Sequence, residues 1–307
     1  MIDLRIGERG EDVIDYMTDH LGGLFDAVKE VLNFCLRTVY DALTALTPVA
    51  MVVVLCLVAL LVTRRIGLTL VLGAGLLLIQ SMDLWTETMQ TMTSVIVATV
   101  IALAIGIPLG IWSAFSSAAR VVLRPVLDLM QTLPVFVYLL PTILFFGVGD
   151  APGLVATIVF SIPPAVRLTQ LGINQVDQET VEASRAFGAS RWETLREVQL
   201  PLALPSIMTG VNQVIMLALS MVVVAGLVGG SGLGGVVVNA VQGLQIGASI
   251  EGGLAVVVIA IYLDRVSAAL GGQGRGTPGW WPQRRDRADV PQSQPTRSDQ
   301  PALPSAV

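Results

Sequence analysis

Residues 177–201 read DQETVEASRAFGASRWETLREVQLP, a charged island between apolar stretches that are long enough to cross a bilayer. Asp177 is a suitable helix N-cap, and Gly188 stands where the end of a helix favours a residue that tolerates positive φ. Ser190 and Glu193 have the S-x-x-E spacing of a capping box, which starts a second helix. The pattern predicts two short helices joined by Gly188, and an ordinary amphipathic loop between two membrane helices is the alternative.

The rest of the 307-residue chain is mostly apolar, with 53% hydrophobic residues, 13% charged residues and a mean hydropathy of +0.73. Such a composition is typical of a polytopic membrane protein. The sequence has no basic patch that would bind nucleic acid. Cys35, Cys56 and the single histidine, His20, lack metal-ligand spacing, so the sequence predicts neither a metal site nor another cofactor.

Seven stretches are long enough, or nearly so, to cross a bilayer core that needs about 20 apolar residues. They are residues 46–62, 66–82, 92–115, 127–148, 153–171, 205–228 and 252–270. Pro201 and Pro205 mark the start of the sixth stretch, because proline is accepted in the first turn of a helix but not deep inside one. The sequence therefore predicts an all-α, polytopic transmembrane bundle of about seven spans, with residues 46–270 as its membrane domain.

The arginines near the spans fall on one side of this alternation, and the opposite short connections contain no lysine or arginine. They are Arg64, Arg65, Arg120, Arg124, Arg167, Arg185, Arg191, Arg196 and Arg265. The positive-inside rule then predicts an N-terminus outside the cell, and a C-terminus and residues 177–201 in the cytoplasm. Residues 1–45 form an acidic extracytoplasmic segment whose later part has the apolar periodicity of a helix lying along the membrane surface. Residues 271–307 are poor in aliphatic side chains, which predicts a disordered cytoplasmic tail.

No motif for catalysis is present, and the sequence lacks the G-x-x-x-x-G-K-[ST] loop that binds ATP. The chain is therefore not expected to be an enzyme. Ionisable residues within the spans are scarce, and Asp128 lies near a span end where Arg124 can balance its charge. Ion-driven carriers place such groups at depth, facing a cavity. Energy for any transport is thus expected to come from a partner.

Uncharged polar residues and prolines interrupt the fourth and sixth spans. The candidate residues for a translocation path are Gln131, Thr132, Pro134, Tyr138, Asn212, Gln213, Met216 and Ser220. Asn212, Met216 and Ser220 recur every fourth residue on one helix face. That face either joins two helices by hydrogen bonds or lines the path.

Two groups of small residues have structural interpretations. Ala102, Gly106 and Gly110 form a small-xxx-small ridge that predicts close helix packing. The glycine-rich loop over 229–250 follows no strand, so a nucleotide-binding interpretation fails, and a short external helix with glycine hinges is expected.

The sequence Glu182-Ala183-Ser184, followed by Gly188, Val198, Leu200 and Pro201, resembles the EAA loop of permease subunits from binding-protein-dependent ABC importers. Serine replaces the second alanine and valine the usual isoleucine, while the spacing is kept. In that family the loop docks on the cytoplasmic ATPase subunit. The resemblance implies a coupling role for Glu182, Ala183, Ser184, Phe187, Gly188, Val198, Leu200 and Pro201.

Further segments over roughly residues 83–270, such as LDLMQTLPVFVYLLP and SIPPAVRLTQLGINQV, resemble the glycine betaine/proline permease subunit of osmoprotectant ABC importers. The resemblance implies a type I ABC importer transmembrane domain in a bacterial cell membrane. It also implies a second copy of the chain, two ATPase subunits, an external binding protein and a quaternary amine or proline as substrate. The alternatives are an ABC permease for choline, carnitine or methionine, a secondary carrier, and a membrane scaffold or sensor that moves no solute.

Overall fold

The computed structural model describes residues 6–271 of the chain, with side chains from residue 14 onward. This part is helical and contains no strand. The helices are α1 (Ile6–Thr44), α2 (Pro48–Thr63), α3 (Ile66–Ser81), α4 (Trp85–Phe115), α5 (Ser117–Thr132), α6 (Val135–Phe146), α7 (Asp150–Asn174), α8 (Gln178–Ala186), α9 (Arg191–Glu193), a π-helical segment (Thr194–Gln199), α10 (Leu200–Gly226), α11 (Leu233–Gln242) and α12 (Ile246–Leu270). The tail predicted over 271–307 lies, from residue 272, outside the described residues.

Helix α7 is the centre of the bundle and packs against α4 on one side and α10 on the other. The approach of α4 is possible because its contact face carries glycine. A Cβ atom added at Gly106 would lie 2.5 Å from the Cβ of Ala165, and one added at Gly110 would lie 2.6 Å from the Cβ of Thr169. Ala102, on the same face, is fully buried. The small-residue ridge predicted from the sequence is therefore confirmed as a helix-packing surface.

We expect Gly106→Leu to destabilise the bundle, because a side chain at this position has to push α4 away from α7. Overpacking of this kind costs about 1–3 kcal/mol. The measurement is the thermal unfolding midpoint of the purified chain in detergent. Gly67→Leu in α3 is the matched control, since nothing lies within 4 Å of a Cβ atom built there. Equal midpoints for the two variants would contradict the packing role.

The fourth predicted span, residues 127–148, is not one helix. The structure breaks it into α5 and α6, which meet at an angle of 95°. Leu133 is extended, with ψ 135°, because the ring of Pro134 disfavours the helical conformation of the residue before it. The fourth predicted span is thus a bent pair of helices, and the break falls at Pro134, one of the residues that interrupt this span in the sequence.

Four helical segments of the described chain are long and apolar enough to cross a membrane: α4, α7, the continuous helix Arg191–Gly226, and α12. Two bent pairs, α1 with α2 and α5 with α6, bring the number to six if each pair is one span. Helix α3 has 16 residues and falls short of the usual length. Within residues 6–271 the number of candidate spans, by length and composition, is four to six, which is lower than the seven predicted.

Helix α1 is a long amphipathic helix that turns by 97° into α2. One face packs on the bundle: Leu32 is buried, and the ring of Phe25 stacks on that of Phe145 at 4.4 Å between centroids. Next to this face lie exposed apolar residues such as Val31, and the far side carries charged residues such as Glu30. The predicted amphipathic helix is confirmed as a helix, and it begins much earlier than the apolar periodicity indicated.

Helix α11 is the short helix expected in the glycine-rich loop. Gly232 precedes it with φ +92°, a conformation that a side chain would strain. The N–H of Leu233 then donates to the hydroxyl of Thr91 on α4 at 2.8 Å, and the Leu233 side chain is fully buried. A glycine at the start of this helix is thus what lets the loop lie directly on α4.

Candidate functional site

The turn at the centre of residues 177–201 is a complete Schellman motif at the end of α8. The N–H of Gly188 donates to the carbonyl of Arg185 at 2.9 Å, and the N–H of Ala189 donates to the carbonyl of Ser184 at 3.2 Å. This pattern needs a left-handed residue at its centre, and Gly188 has φ +89°. A Cβ atom built on Gly188 would meet nothing within 4 Å, so the requirement for glycine is conformational and not steric.

The two helix starts on either side of this turn are capped as the sequence predicts. The side chain of Asp177 accepts a hydrogen bond from the N–H of Glu179 at 3.0 Å at the start of α8. Ser190 and Glu193 form a reciprocal capping box, in which each side chain accepts a hydrogen bond from the backbone N–H of the other residue. These caps fix both ends of the turn and hold its two arms in a defined geometry.

The second arm is not the separate short helix that was predicted. Helix α9, the π-helical segment and α10 form one continuous helix, Arg191–Gly226. The N–H of Leu200 donates to the carbonyl of Leu195, five residues back, which widens the helix just before Pro201. A regular α-turn would bring the proline ring against the carbonyl four residues earlier, and the wider turn relieves that clash. Pro201 and Pro205 therefore lie inside a helix and do not mark its beginning.

A buried apolar cluster joins this segment to the ends of the long helices. Its buried members are Ile173, Leu195, Ala203 and Ile207, and Ile107, Ile111, Ala114 and Leu200 pack against them. The cluster therefore draws on α4, α7, the π-helical segment and α10. The two arms also meet where the hydroxyls of Ser184 and Thr194 lie 3.3 Å apart. A force on the turn would be transmitted through these contacts into three helices of the bundle.

The outer surface of the turn carries large apolar side chains in open solvent. Phe187 is 94% exposed and Trp192 is 66% exposed, while Glu182 and Ala183 next to them are also exposed. We call these four residues the docking face, after the docking role that the sequence predicts for this loop. Tryptophan and phenylalanine are enriched at the cores of protein interfaces, so the docking face has side chains of the kind that such interfaces bury. Trp192 was not among the predicted site residues, although a tryptophan inside a charged island is a signal that the sequence offered.

The remaining predicted coupling residues lie behind the docking face. Ser184 and Val198 are half-buried, and Leu200 packs on the apolar cluster. Pro201 is exposed on the outer side of the continuous helix. These residues support the turn and its connection to α10 and do not extend its outer surface.

The polar residues at the bend between α5 and α6 lie together. Gln131, Thr132 and Pro134 are exposed. The hydroxyl of Tyr138 donates to the backbone carbonyl of Met130 at 2.5 Å, which ties α6 back onto the last turn of α5. Tyr138 thus stabilises the 95° bend.

The polar residues of α10 have two different environments in the structure: Asn212 contacts another helix, and the others are exposed. The amide of Asn212 donates to the Asp264 carboxylate at 3.1 Å and accepts from the hydroxyl of Ser267 at 2.6 Å, both on α12. Asn212 therefore joins two helices. Met216 and Ser220 are exposed, as is Gln213.

The carboxylate of Asp128 pairs with an arginine other than the one expected. It accepts a hydrogen bond from the guanidinium of Arg167, so the ion pair links α5 to α7. The sequence suggested Arg124, four residues away on the same helix, as its partner. Packing of α7 beside α5 brings Arg167 to Asp128, which spacing along the chain does not reveal.

Comparison with known proteins gives concordant matches. The family of binding-protein-dependent transport system inner membrane components matches residues 106–271. The glycine betaine/proline betaine transport system permease protein ProW of Escherichia coli (strain K12) is 41% identical, over 87% of this chain and 76% of its own length. OpuAB, a glycine betaine transport system permease protein of Bacillus subtilis (strain 168), is 41% identical over 83% of this chain and 90% of its own.

Similarity also extends to a third permease and to a solved structure. The glycine betaine/carnitine transport permease protein GbuB of Listeria monocytogenes is 43% identical, over 84% of this chain and 89% of its own. A chain of the MetNI methionine ABC transporter in an inward-facing conformation superposes with a TM-score of 0.56 at 19% identity. The superposition covers 63% of this chain and 96% of the other. At this identity the similarity to the solved structure is one of fold.

Proposed function

Because the chain belongs to the family of binding-protein-dependent transport system inner membrane components, we propose that it is the membrane-spanning subunit of an ATP-driven importer of glycine betaine and related quaternary amines. Its all-α bundle has the fold of a type I ABC importer transmembrane domain, as the sequence predicted. The observation that carries the proposal is the identity of 41–43% to three glycine betaine permease proteins over most of the chain.

The proposed substrate class is narrower than the quaternary amine or proline suggested by sequence resemblance. All three relatives are named for glycine betaine, one of them also for proline betaine and another also for carnitine. Each of these molecules carries a quaternary ammonium group and a carboxylate. Such zwitterions are the substrates that this chain is proposed to transport. Selectivity among them would rest largely on an external binding protein.

The energy for transport would come from a cytoplasmic ATPase subunit that binds the docking face. Support for this role comes from the exposure of Phe187 and Trp192 and from the apolar cluster that joins the turn to α4, α7 and α10. ATP binding would close two ATPase subunits on each other. The docking faces of two copies of the chain would follow, and the bundles would change from an inward-facing to an outward-facing arrangement.

The proposed orientation places the docking face in the cytoplasm, together with the C-terminus. The loop that contains α11 would lie outside, where the binding protein delivers the substrate. An N-terminus outside requires an odd number of spans, so the 16-residue helix α3 would also cross the bilayer, in addition to the four helices and the two bent pairs. The arginines near the spans support this orientation by the positive-inside rule. The bend of 97° between α1 and α2 lets α1 lie along the membrane surface if α2 enters the bilayer. The exposed residues Gln131, Thr132, Gln213, Met216 and Ser220 remain candidates for the path between two copies.

Uptake of labelled glycine betaine tests the proposal. The chain is expressed with its cognate ATPase and binding protein in cells stripped of their own osmolyte importers, and each partner is omitted in turn. We expect uptake at high osmolarity that requires all three proteins. Uptake by the chain alone would favour a secondary carrier instead. An intact complex that moves choline or methionine but no betaine would contradict the proposed substrate.

A further inference from the structure

A cleft with a largely apolar wall and several polar and charged side chains opens at the end of the bundle opposite the docking face. It lies between α1, α4, the first residue of α7 and the loop before α11. It has a volume of about 170 Å³ and is lined by Arg37, Tyr40, Gln90, Thr93, Ser94, Asp150 and Ser231, with Leu36 at one side. Helix α7 has 25 residues, so a rise of 1.5 Å per residue places Asp150 about 36 Å from Asn174, at the end of α7 that leads to the coupling turn. None of the residues predicted as functional from the sequence lines this cleft.

The two charged residues that line the cleft have different surroundings. Arg37 lies on α1 and is exposed, whereas the carboxylate of Asp150, the first residue of α7, accepts hydrogen bonds from both the N–H and the hydroxyl of Ser231. No ion pair joins Arg37 to Asp150, although both line the same cavity. The Asp150 carboxylate has about four acceptor positions, so two hydrogen bonds leave it able to attract a cation.

The lining matches the chemistry of a small zwitterion. A guanidinium group presents a planar fork that binds a carboxylate through two hydrogen bonds. A carboxylate and an aromatic ring are the two groups that attract a quaternary ammonium ion, and Asp150 and Tyr40 provide them here. A cavity of about 150 Å³ accommodates benzene, so this cleft has room for a molecule of that size or slightly larger.

We propose that this cleft, formed by Arg37, Tyr40 and Asp150, binds a zwitterion with a quaternary ammonium group and a carboxylate. The substrate class rests on the proposed function. The quaternary ammonium group lies against Asp150 and the ring of Tyr40, and the carboxylate lies against Arg37. Because α1 lies outside the segment matched by the transporter family, residues 106–271, the site joins that segment to a helix from beyond it.

Saturation-transfer difference NMR tests the site directly. The full chain is assembled with its ATPase subunit in lipid nanodiscs, and the binding protein is left out. The probes are glycine betaine, which carries both charges, and choline, which carries only the positive one. We expect Asp150→Asn to weaken binding of both probes roughly fivefold or more, as loss of one charge-assisted contact does. Arg37→Gln is expected to weaken the binding of glycine betaine by a similar factor and to leave the binding of choline unchanged.

Two controls separate the site from general effects of charge. Asp41→Asn removes an exposed carboxylate from α1, and Arg124→Gln removes an exposed guanidinium from α5, and neither residue lines the cleft. Both control variants are expected to bind the probes as the unmodified chain does. Loss of signal in the controls equal to that in Arg37→Gln and Asp150→Asn would overturn the proposal. Each variant is first checked for monodispersity, and Tyr40→Leu provides a third, uncharged test of the same cleft.

A negative result for the cleft can be told apart from a negative result for the proposed transport function. If the unmodified complex imports glycine betaine but both variants bind the probes normally, the cleft is not a binding site and the transport function stands. If the unmodified complex imports no betaine in the uptake experiment, the transport function is wrong. If the Arg37→Gln variant no longer binds glycine betaine but still binds choline, the cleft is supported as a binding site for zwitterions.

Discussion

Replacing Gly188 by proline is expected to reduce ATP-driven uptake to background while the chain still inserts in the membrane. Proline fixes φ near −65°, whereas this position has φ +89°. The substitution also removes the N–H that donates to the carbonyl of Arg185. Because α8 would no longer end in the Schellman turn, the docking face would be misdirected. The measurement is betaine uptake, normalised to the amount of chain in the membrane fraction.

Two further substitutions test whether Gly188 is needed for its backbone conformation or for the absence of a side chain that would clash. Gly188→Asn is expected to retain most uptake, since asparagine adopts positive φ more readily than other side chains do. Gly188→Val is expected to lose most of it, although nothing lies within 4 Å of its Cβ position. Uptake by Gly188→Pro at the level of the unmodified chain would show that the turn is not part of the coupling mechanism.

The second large effect is expected at the docking face. Phe187→Ala and Trp192→Ala together should abolish co-purification of the ATPase subunit. Exposed aromatic anchors that become buried at an interface contribute about 2 kcal/mol or more each, so each truncation should weaken binding roughly 30-fold. The measurement is the ratio of the ATPase to the chain after affinity purification in detergent.

Ile246→Ala is the matched control for this double substitution. Ile246 is 76% exposed, and it lies at the start of α12, away from the coupling turn. The control should retain the ATPase at the ratio of the unmodified chain. A further variant, Glu182→Lys, reverses a charge on the docking face. It should weaken the complex with the ATPase subunit, and the effect should be larger at low salt. An unchanged ratio in the double substitution would place the ATPase elsewhere on the chain.

Local features of the coupling segment could be predicted from the sequence because they depend on neighbours in the chain. A capping box needs only Ser190 and Glu193 at the right spacing, and a Schellman turn needs a glycine after the last turn of a helix. Both are present in the structure. The small-residue ridge with Gly106 was also predictable, since close packing of apolar helices requires small side chains at a regular interval.

Features that depend on the wider context were not predictable in the same way. Pro201 looked like a helix start, but the π-helical turn before it lets the helix continue. Asp128 was expected beside Arg124 and pairs with Arg167, because a tertiary contact replaces a local one. The apolar run over 127–148 concealed a bend, since hydropathy measures composition and not the direction of the chain at Pro134.

The continuous helix from Arg191 to Gly226 has a geometric consequence for how the two ends of the molecule relate. Thirty-six residues at the α-helical rise of 1.5 Å would make a rod of about 54 Å, and the π-helical segment shortens it slightly. Each α-helical residue also turns about 100° around that rod, so the direction in which Trp192 points is fixed by the number of residues between it and the spanning part. The number of residues in the segment around Leu200 therefore sets the direction in which the docking face points, as well as its distance from the spanning part of the helix. Adding one residue there would rotate the docking face by about 100°, whereas adding seven would return it to within about 20° of its present direction.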